Sequence, residues 1–296
     1  MRAETIGSRV PRGHCSGRVE AVFENACNVA LDGGGLVTVL SPHVGNVAHG
    51  IRLSRALRFD TRLRRGMPVR IDGDSVDFDA GAVAVELAGA HTWASAFRPG
   101  CCVWNRRSIR AAERARDLLR REATPRGSEF LAAVLRREAP ATPLAARIAP
   151  VLAMLARSAR SRDCTGALCQ IAQLVGLGPG LTPAGDDFII GWLAGLALRA
   201  DTPPQHGFLR ELCAGIAPLG CATTSVSRQH LEDACALAFS ERLSDLCLAI
   251  GDGAPAPRLA AAVAAQVQVG ASSGADAAAG LIFALFDCAP AGRFAG

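Results

Sequence analysis

Three short stretches hold the residue types whose spacing suits chemistry. The first is Leu174-Val-Gly-Leu-Gly-Pro-Gly-Leu-Thr-Pro-Ala-Gly-Asp-Asp-Phe188, which packs four glycines and two prolines into the ten residues 176–185 and ends in the pair Asp186-Asp187. A glycine loop that opens a helix turns backbone N–H groups toward one point, and the helix dipole favours an anion there. Gly178, Gly180 and Gly185 would supply such groups, with the Thr182 hydroxyl beside them. Asp186 and Asp187 are the candidate catalytic residues, as orienting carboxylates or as hard oxygen ligands for Mg²⁺. The same residues also fit a plainer arrangement, with Asp186 as an N-cap and the glycines as a tight turn. A phosphate loop of the Walker type is excluded, because no Gly-Lys-Ser/Thr follows, and the two prolines interrupt a dinucleotide-binding turn.

The second stretch, Cys221-Ala-Thr-Thr-Ser-Val-Ser-Arg228, gathers Thr223, Thr224, Ser225 and Arg228. Hydroxyls and a guanidinium donate hydrogen bonds without titrating near neutrality, so the group suits a carboxylate or an oxyanion. Ser225 and Ser227 equally suit helix capping. The third stretch is Val269-Gly-Ala-Ser-Ser-Gly-Ala-Asp276, with Ser272, Ser273 and Asp276 as candidate binding residues. Gly270 to Gly274 leads into Asp276 as Gly180 to Gly185 leads into Asp186. Two similar loop-to-helix starts predict a pseudo-repeat whose loops converge on one pocket.

The elements that must position these residues are mostly helical. Phe188, Ile189, Trp192, Leu193 and Leu196 follow the spacing of a buried helix face, and Gly191 and Gly195 would let a neighbour pack close. Arg106 to Glu122, with seven arginines, reads as an amphipathic surface helix. Ser128–Glu138, with Ser128 as a cap, and Leu144–Arg160, kinked or restarted by Pro150, continue the pattern. Asp163–Leu174, Phe208–Ala217, Phe239–Ile250 and Arg258–Val267 complete it. Thr202 to Gly207 and Gly251 to Pro257 read as linkers. Residues 1–105 are different. Short apolar runs at 18–23, 26–31, 36–40, 68–71, 75–79, 83–87 and 92–97 alternate with Gly/Asp turns, as in a small barrel or sandwich. His43 and His49 fall in a Gly/Pro-containing loop and read as solvated. The expected fold is α+β, with a β-rich barrel- or sandwich-like module (1–105) packed on an all-α module (106–296).

Composition narrows the function classes. A chain of 296 residues with 50% hydrophobic and 20% charged residues can bury a large core. The net charge of +5 is small and dispersed, which argues against a nucleic-acid partner. The longest uncharged apolar run is too short for a bilayer, so no membrane partner is expected. Eleven cysteines without framework spacing, and no Cys-x-x-Cys pair, predict free thiols in a reducing cytoplasm rather than disulfides or a zinc site.

Gly-Leu-Gly-Pro-Gly-Leu-Thr-Pro-Ala-Gly-Asp-Asp-Phe (176–188), with Thr223 to Ser225 and Gly270 to Asp276, resembles the signature of a bacterial family. That family includes the third subunit of the oxamate carbamoyltransferase of anaerobic allantoin breakdown. The resemblance implies a transferase subunit in purine catabolism, with other protein subunits as partners. Its reaction would be oxalurate plus phosphate giving oxamate and carbamoyl phosphate, or a related conversion of a small ureido or amide carboxylate. Such a transfer needs positioned donors for a small anionic substrate more than a nucleophilic triad. No cofactor is implied with certainty, Mg²⁺ being the candidate. Two alternatives stand beside it: a non-catalytic assembly or regulatory subunit, and a Mg²⁺-dependent phosphate-binding hydrolase.

Overall fold

In the first ninety residues apolar and polar side chains alternate over runs of four to eight, which lets one face of a sheet be buried. The computed structural model describes residues 1–122, 129–136 and 143–288. Nine strands form there: β1 (Ala3–Gly7), β2 (Cys15–Val22), β3 (Ala26–Leu31), β4 (Leu36–Leu40), β5 (Gly50–Leu53), β6 (Pro68–Ile71), β7 (Ser75–Phe78), β8 (Val83–Glu86) and β9 (His91–Trp93). They make a single sheet in the order β8-β7-β6-β2-β3-β4-β5-β1-β9, antiparallel except for β4/β5 and β1/β9. Val29, Val39, Ile51, Ile71, Val76 and Phe78 line its buried face. The sheet curls into a half-barrel. Arg2, just before β1, bridges to Glu86 at the end of β8, and the Arg2 guanidinium pairs with the Glu86 carboxylate at 2.8 Å.

Two strands, β1 and β5, are not marked by any alternation long enough to read. His49 differs from the expected solvated state: it is buried at the point where β5 begins, and its carbonyl accepts from Thr38 N–H. His43 is exposed.

The chain divides into two compact units between Ser95 and Ala96. Phe97, Cys102 and Trp104 already belong to the helical core, which places the break ten residues before the change in composition. The second unit contains, among the described residues, α1 (Arg106–Glu122), α2 (Glu129–Arg136), α3 (Pro143–Ser161), α4 (Cys164–Leu174), α5 (Ala184–Arg199), α6 (Pro203–Ile216), α7 (Ser225–Cys235), α8 (Glu241–Gly251), α9 (Ala256–Val267) and α10 (Ser273–Phe286). The expected Ser128 cap and residues 137–138 lie outside the described residues. α3 runs on through Pro150: one backbone hydrogen bond is forfeited there, yet Ile148, Val151, Leu152 and Leu155 seat both flanks in the core. α6 starts at Pro203, inside the segment expected to be a linker. Thr202 and Gln205 form a capping box, and proline is well suited to the first helical position.

At the centre lie α5 and α10, both almost wholly buried. Their packing is reciprocal. A Cβ at Gly191 would collide with the carbonyl oxygen of Ala277, and a Cβ at Gly280 with that of Phe188. The two helices thus cross by a local two-fold relation that exchanges Phe188 with Ala277 and Gly191 with Gly280. They run side by side in the same direction: Ser273 bonds Asp187 in their first turns, and Arg199 bonds the Leu285 carbonyl in their last.

Candidate functional site

The two-fold relation extends into the loops that open α5 and α10. Gly185 N–H donates to Leu177 O at 2.9 Å, and Leu177 N–H to Leu174 O at 3.0 Å. In the second half, Gly274 N–H donates to Val269 O at 3.0 Å, and Val269 N–H to Gln266 O at 3.1 Å. Each glycine occupies the second helical position, where a side chain would strike the end of the preceding helix. The structural register therefore matches Asp276 with Asp187, two residues after the glycine in both halves. This corrects the pairing of Asp276 with Asp186 drawn from the sequence: the partner of Asp186 is Ala275.

The adjacent carboxylates have separate tasks. Asp186 is fully buried. One of its oxygens accepts from Gly176 N–H at 2.9 Å; the other accepts from the Ser227 hydroxyl at 2.7 Å and from the Thr223 hydroxyl. It ties the glycine loop to the start of α7. It is also not the N-cap of α5, since Pro183 holds that position and Asp186 is the third helical residue. With both oxygens engaged by donors, Asp186 has little left to offer a metal or a substrate.

Asp187 is different. It is buried, its Oδ2 has no hydrogen-bond partner among the described residues, and the Ser273 hydroxyl bonds to its carboxylate. Ser273 is in turn 2.9 Å from the Thr182 hydroxyl, so a chain of hydroxyls crosses from one loop to the other. Burial pushes the Asp187 carboxyl well above the ordinary range; the Ser273 hydrogen bond opposes this, and the nearby Asp276 and Asp186 charges add to it. Asp276 itself is buried in the first turn of α10. The two loops thus converge, with one carboxyl from each half and two hydroxyls between them.

The remaining candidates divide between scaffold and rim. Gly178 and Gly180 take positive φ of 123° and 91°, and Gly180 has open space around its Cα. Thr224 is the N-cap of α7: its hydroxyl oxygen accepts from Ser227 N–H at 3.0 Å, and its hydroxyl donates to Leu181 O. Ser225 opens α7, and Ser272 is the N-cap position of α10, its carbonyl accepting from Asp276 N–H. Arg228 donates through Nε to Gly220 O at 3.1 Å, a local clamp on the turn before α7. The residue that sequence reasoning missed is Ser227. Its place before a helix suggests only a cap, although its hydroxyl is one of the three donors on Asp186. No three His, Cys, Asp or Glu side chains among the described residues come together as a metal-holding group, and no helix among them is long and apolar enough to cross a membrane.

Two family profiles match the chain. Residues 2–92 match the AllH family N-terminal domain, and residues 174–285 match the oxamate carbamoyltransferase subunit AllH. Together they span about two thirds of the chain, and the second covers both loops of the site. No curated protein and no solved structure matches it.

Proposed function

We propose that this chain, which belongs to the family of the oxamate carbamoyltransferase subunit AllH, binds the carbamoyl-bearing substrate at the convergence of its two loops and donates a proton there from Asp187. The observation that carries this reading is the buried Oδ2 of Asp187, which no group among the described residues satisfies. A buried polar atom without a partner costs on the order of 1–3 kcal/mol, a cost that a ligand completing the hydrogen bond relieves.

A neutral carboxyl presents one O–H donor and one C=O acceptor side by side. A ureido or carboxamide group presents the complementary pair, N–H and C=O. A carboxylate or a phosphate offers acceptors only and would use half of it. In the transfer, a phosphate oxygen attacks the ureido carbon of oxalurate, and the bond from that carbon to the oxamate nitrogen breaks. That nitrogen needs a proton, which Asp187 supplies as general acid. The proton carried by the attacking phosphate restores Asp187, so the products are oxamate and carbamoyl phosphate with no net proton released. The Ser273 hydroxyl, backed by Thr182, steadies the transient carboxylate.

The test is oxalurate phosphorolysis by the chain alone and with its partner subunits, comparing Asp187→Asn with Asp187→Ala. Asparagine keeps the donor–acceptor pair and cannot act as an acid, so it should hold oxamate while turnover falls about 100-fold or more. Alanine should lose both. Normal turnover in the asparagine variant of the assembled enzyme would overturn the assignment.

A further inference from the structure

The loops around Asp187 share an outer face without charge. In a chain with 20% charged residues, none of residues 175–185, 217–227 and 268–275 is charged. The three segments adjoin one another. The Thr182 and Ser273 hydroxyls are 2.9 Å apart, the Thr224 hydroxyl donates to Leu181 O, and a Cβ at Gly176 would strike the Ala222 carbonyl oxygen. Pro179, Leu181, Ala222, Val269 and Ala271 are exposed on them. Leu181 and Val269, 37% and 36% exposed, stand one on each of the two loops that converge at Asp187. The charges that bound these segments lie behind the face or at its edge: Asp186 and Asp276 are buried, and Arg228 is exposed beside it with Nε on Gly220 O.

Exposed apolar side chains that stand together mark a surface that another molecule covers. The core of such a surface is depleted of charge, because a charge buried there without a partner is costly. The backbone points the same way. Gly178 and Gly180 hold positive φ, and among the described residues nothing beyond the chain neighbours of Gly180 lies within 4 Å of where its Cβ would be. A second backbone can therefore lie directly against Gly180.

We propose that this face docks another subunit of the carbamoyltransferase through an uncharged, apolar segment of that partner, laid over Gly180 between Leu181 and Val269. The family is that of an enzyme subunit, which supplies the partner. The absence of charge selects the partner's contact surface, since an acidic or basic segment would lose its water here without gaining a counter-charge. The docked segment closes the mouth of the site and keeps water from Asp187. That closure rests on the acid role of Asp187, whereas the docking does not.

The experiment mixes the full chain with the enzyme's other subunits and measures complex formation by sedimentation, beside a thermal melt of each variant. Leu181→Lys and Val269→Glu place charges at exposed positions, so they should melt with the wild type while weakening assembly about 100-fold or more. Met154→Lys, a similar change at an exposed apolar residue of α3, should assemble normally. Asp187→Asn should also assemble normally, so its turnover reports on the acid role separately. Wild-type assembly by both Leu181→Lys and Val269→Glu overturns the proposal, and so does an equal loss in Met154→Lys. Self-association of the chain alone that both loop variants abolish would make a second copy the occupant and overturn it too.

Discussion

Replacing Asp186 by alanine removes the one acceptor shared by Gly176 N–H, the Thr223 hydroxyl and the Ser227 hydroxyl. Hydrogen bonds to an ionised group contribute about 1.5–3 kcal/mol each, and a buried donor left unmade costs about 1–3 kcal/mol. The three donors here depend on a single carboxylate, so their contributions do not simply add. The hydroxyls can turn toward other acceptors, whereas the Gly176 amide cannot. A loss of about 3–4 kcal/mol follows. For a domain the size of the helical unit this lowers the melting temperature by about 6–16 °C. Asparagine should cost less, about 1–2 kcal/mol, because its carbonyl still accepts from Gly176 while its amide donates to hydroxyls that rotate to accept. An N-cap role would instead make the asparagine change almost silent. Calorimetry gives the global figure, and hydrogen exchange at the Gly176 amide gives the local one. If Asp186→Ala melts within a degree or two of the wild type with that amide still protected, the anchoring role is wrong.

Asp187 predicts the opposite sign. Its folded-state carboxyl titrates well above the ordinary range because it is buried, so the folded chain holds more protons than the unfolded one from about pH 4 upward. Its contribution to stability is full below that pH and is lost as pH rises toward the folded value. Asp187→Asn, lacking this loss, should match the wild type near pH 4 and melt progressively higher than it as the pH is raised; a constant difference across pH 4–8 would contradict this. Gly280→Val should prevent the α5–α10 crossing, since its side chain would meet the Phe188 carbonyl; a variant that purifies with a wild-type melt refutes the crossing. All eleven cysteines are free thiols, and labelling under native conditions at pH 8 should reach exposed Cys169 and Cys221 well before Cys27 and Cys288. Burial pushes those two thiols up to about 12. Early modification of Cys27 would show that the sheet opens readily.

Much of the fold was legible because the periodicities are local. β3, β4, β6 and α1 fall on the residues read from alternation or from a three-to-four spacing. What escaped was decided at longer range. Gly50–Leu53 directly follows the Gly/Pro-containing histidine loop without a turn signal between them, and its pairing with β4 and β1 marks it as a strand. Thr202-Pro-Pro looked like a linker because two adjacent prolines usually end a helix. Here they start one, since Gln205 reaches back to the Thr202 N–H and completes the capping box. Pro150 suggests a kink or a restart, yet the apolar residues flanking it outweigh one lost backbone bond.

The site shows where sequence reading stops and why. Similar composition revealed the two loops, but not their register, because the first has seven residues between Leu177 and Gly185 while the second has four between Val269 and Gly274. The reciprocal contacts of Gly191 and Gly280, with the matching loop hydrogen bonds of Gly185 and Gly274, fix the equivalence and place Asp187 opposite Asp276. That leaves Asp186 without a counterpart, and the extra loop length supplies the physical reason. A longer loop loses more conformational entropy when ordered. It also carries Gly178 and Gly180, just after Gly176, in left-handed backbone that needs outside support. Asp186 provides that support through Gly176, Thr223 and Ser227. The shorter second loop has Ala275 at the same point. A run of two aspartates invites a joint reading as a metal or acid–base pair. In this fold one aspartate shapes the loop, and its neighbour, turned toward the other half, keeps one buried oxygen without a hydrogen-bond partner among the described residues.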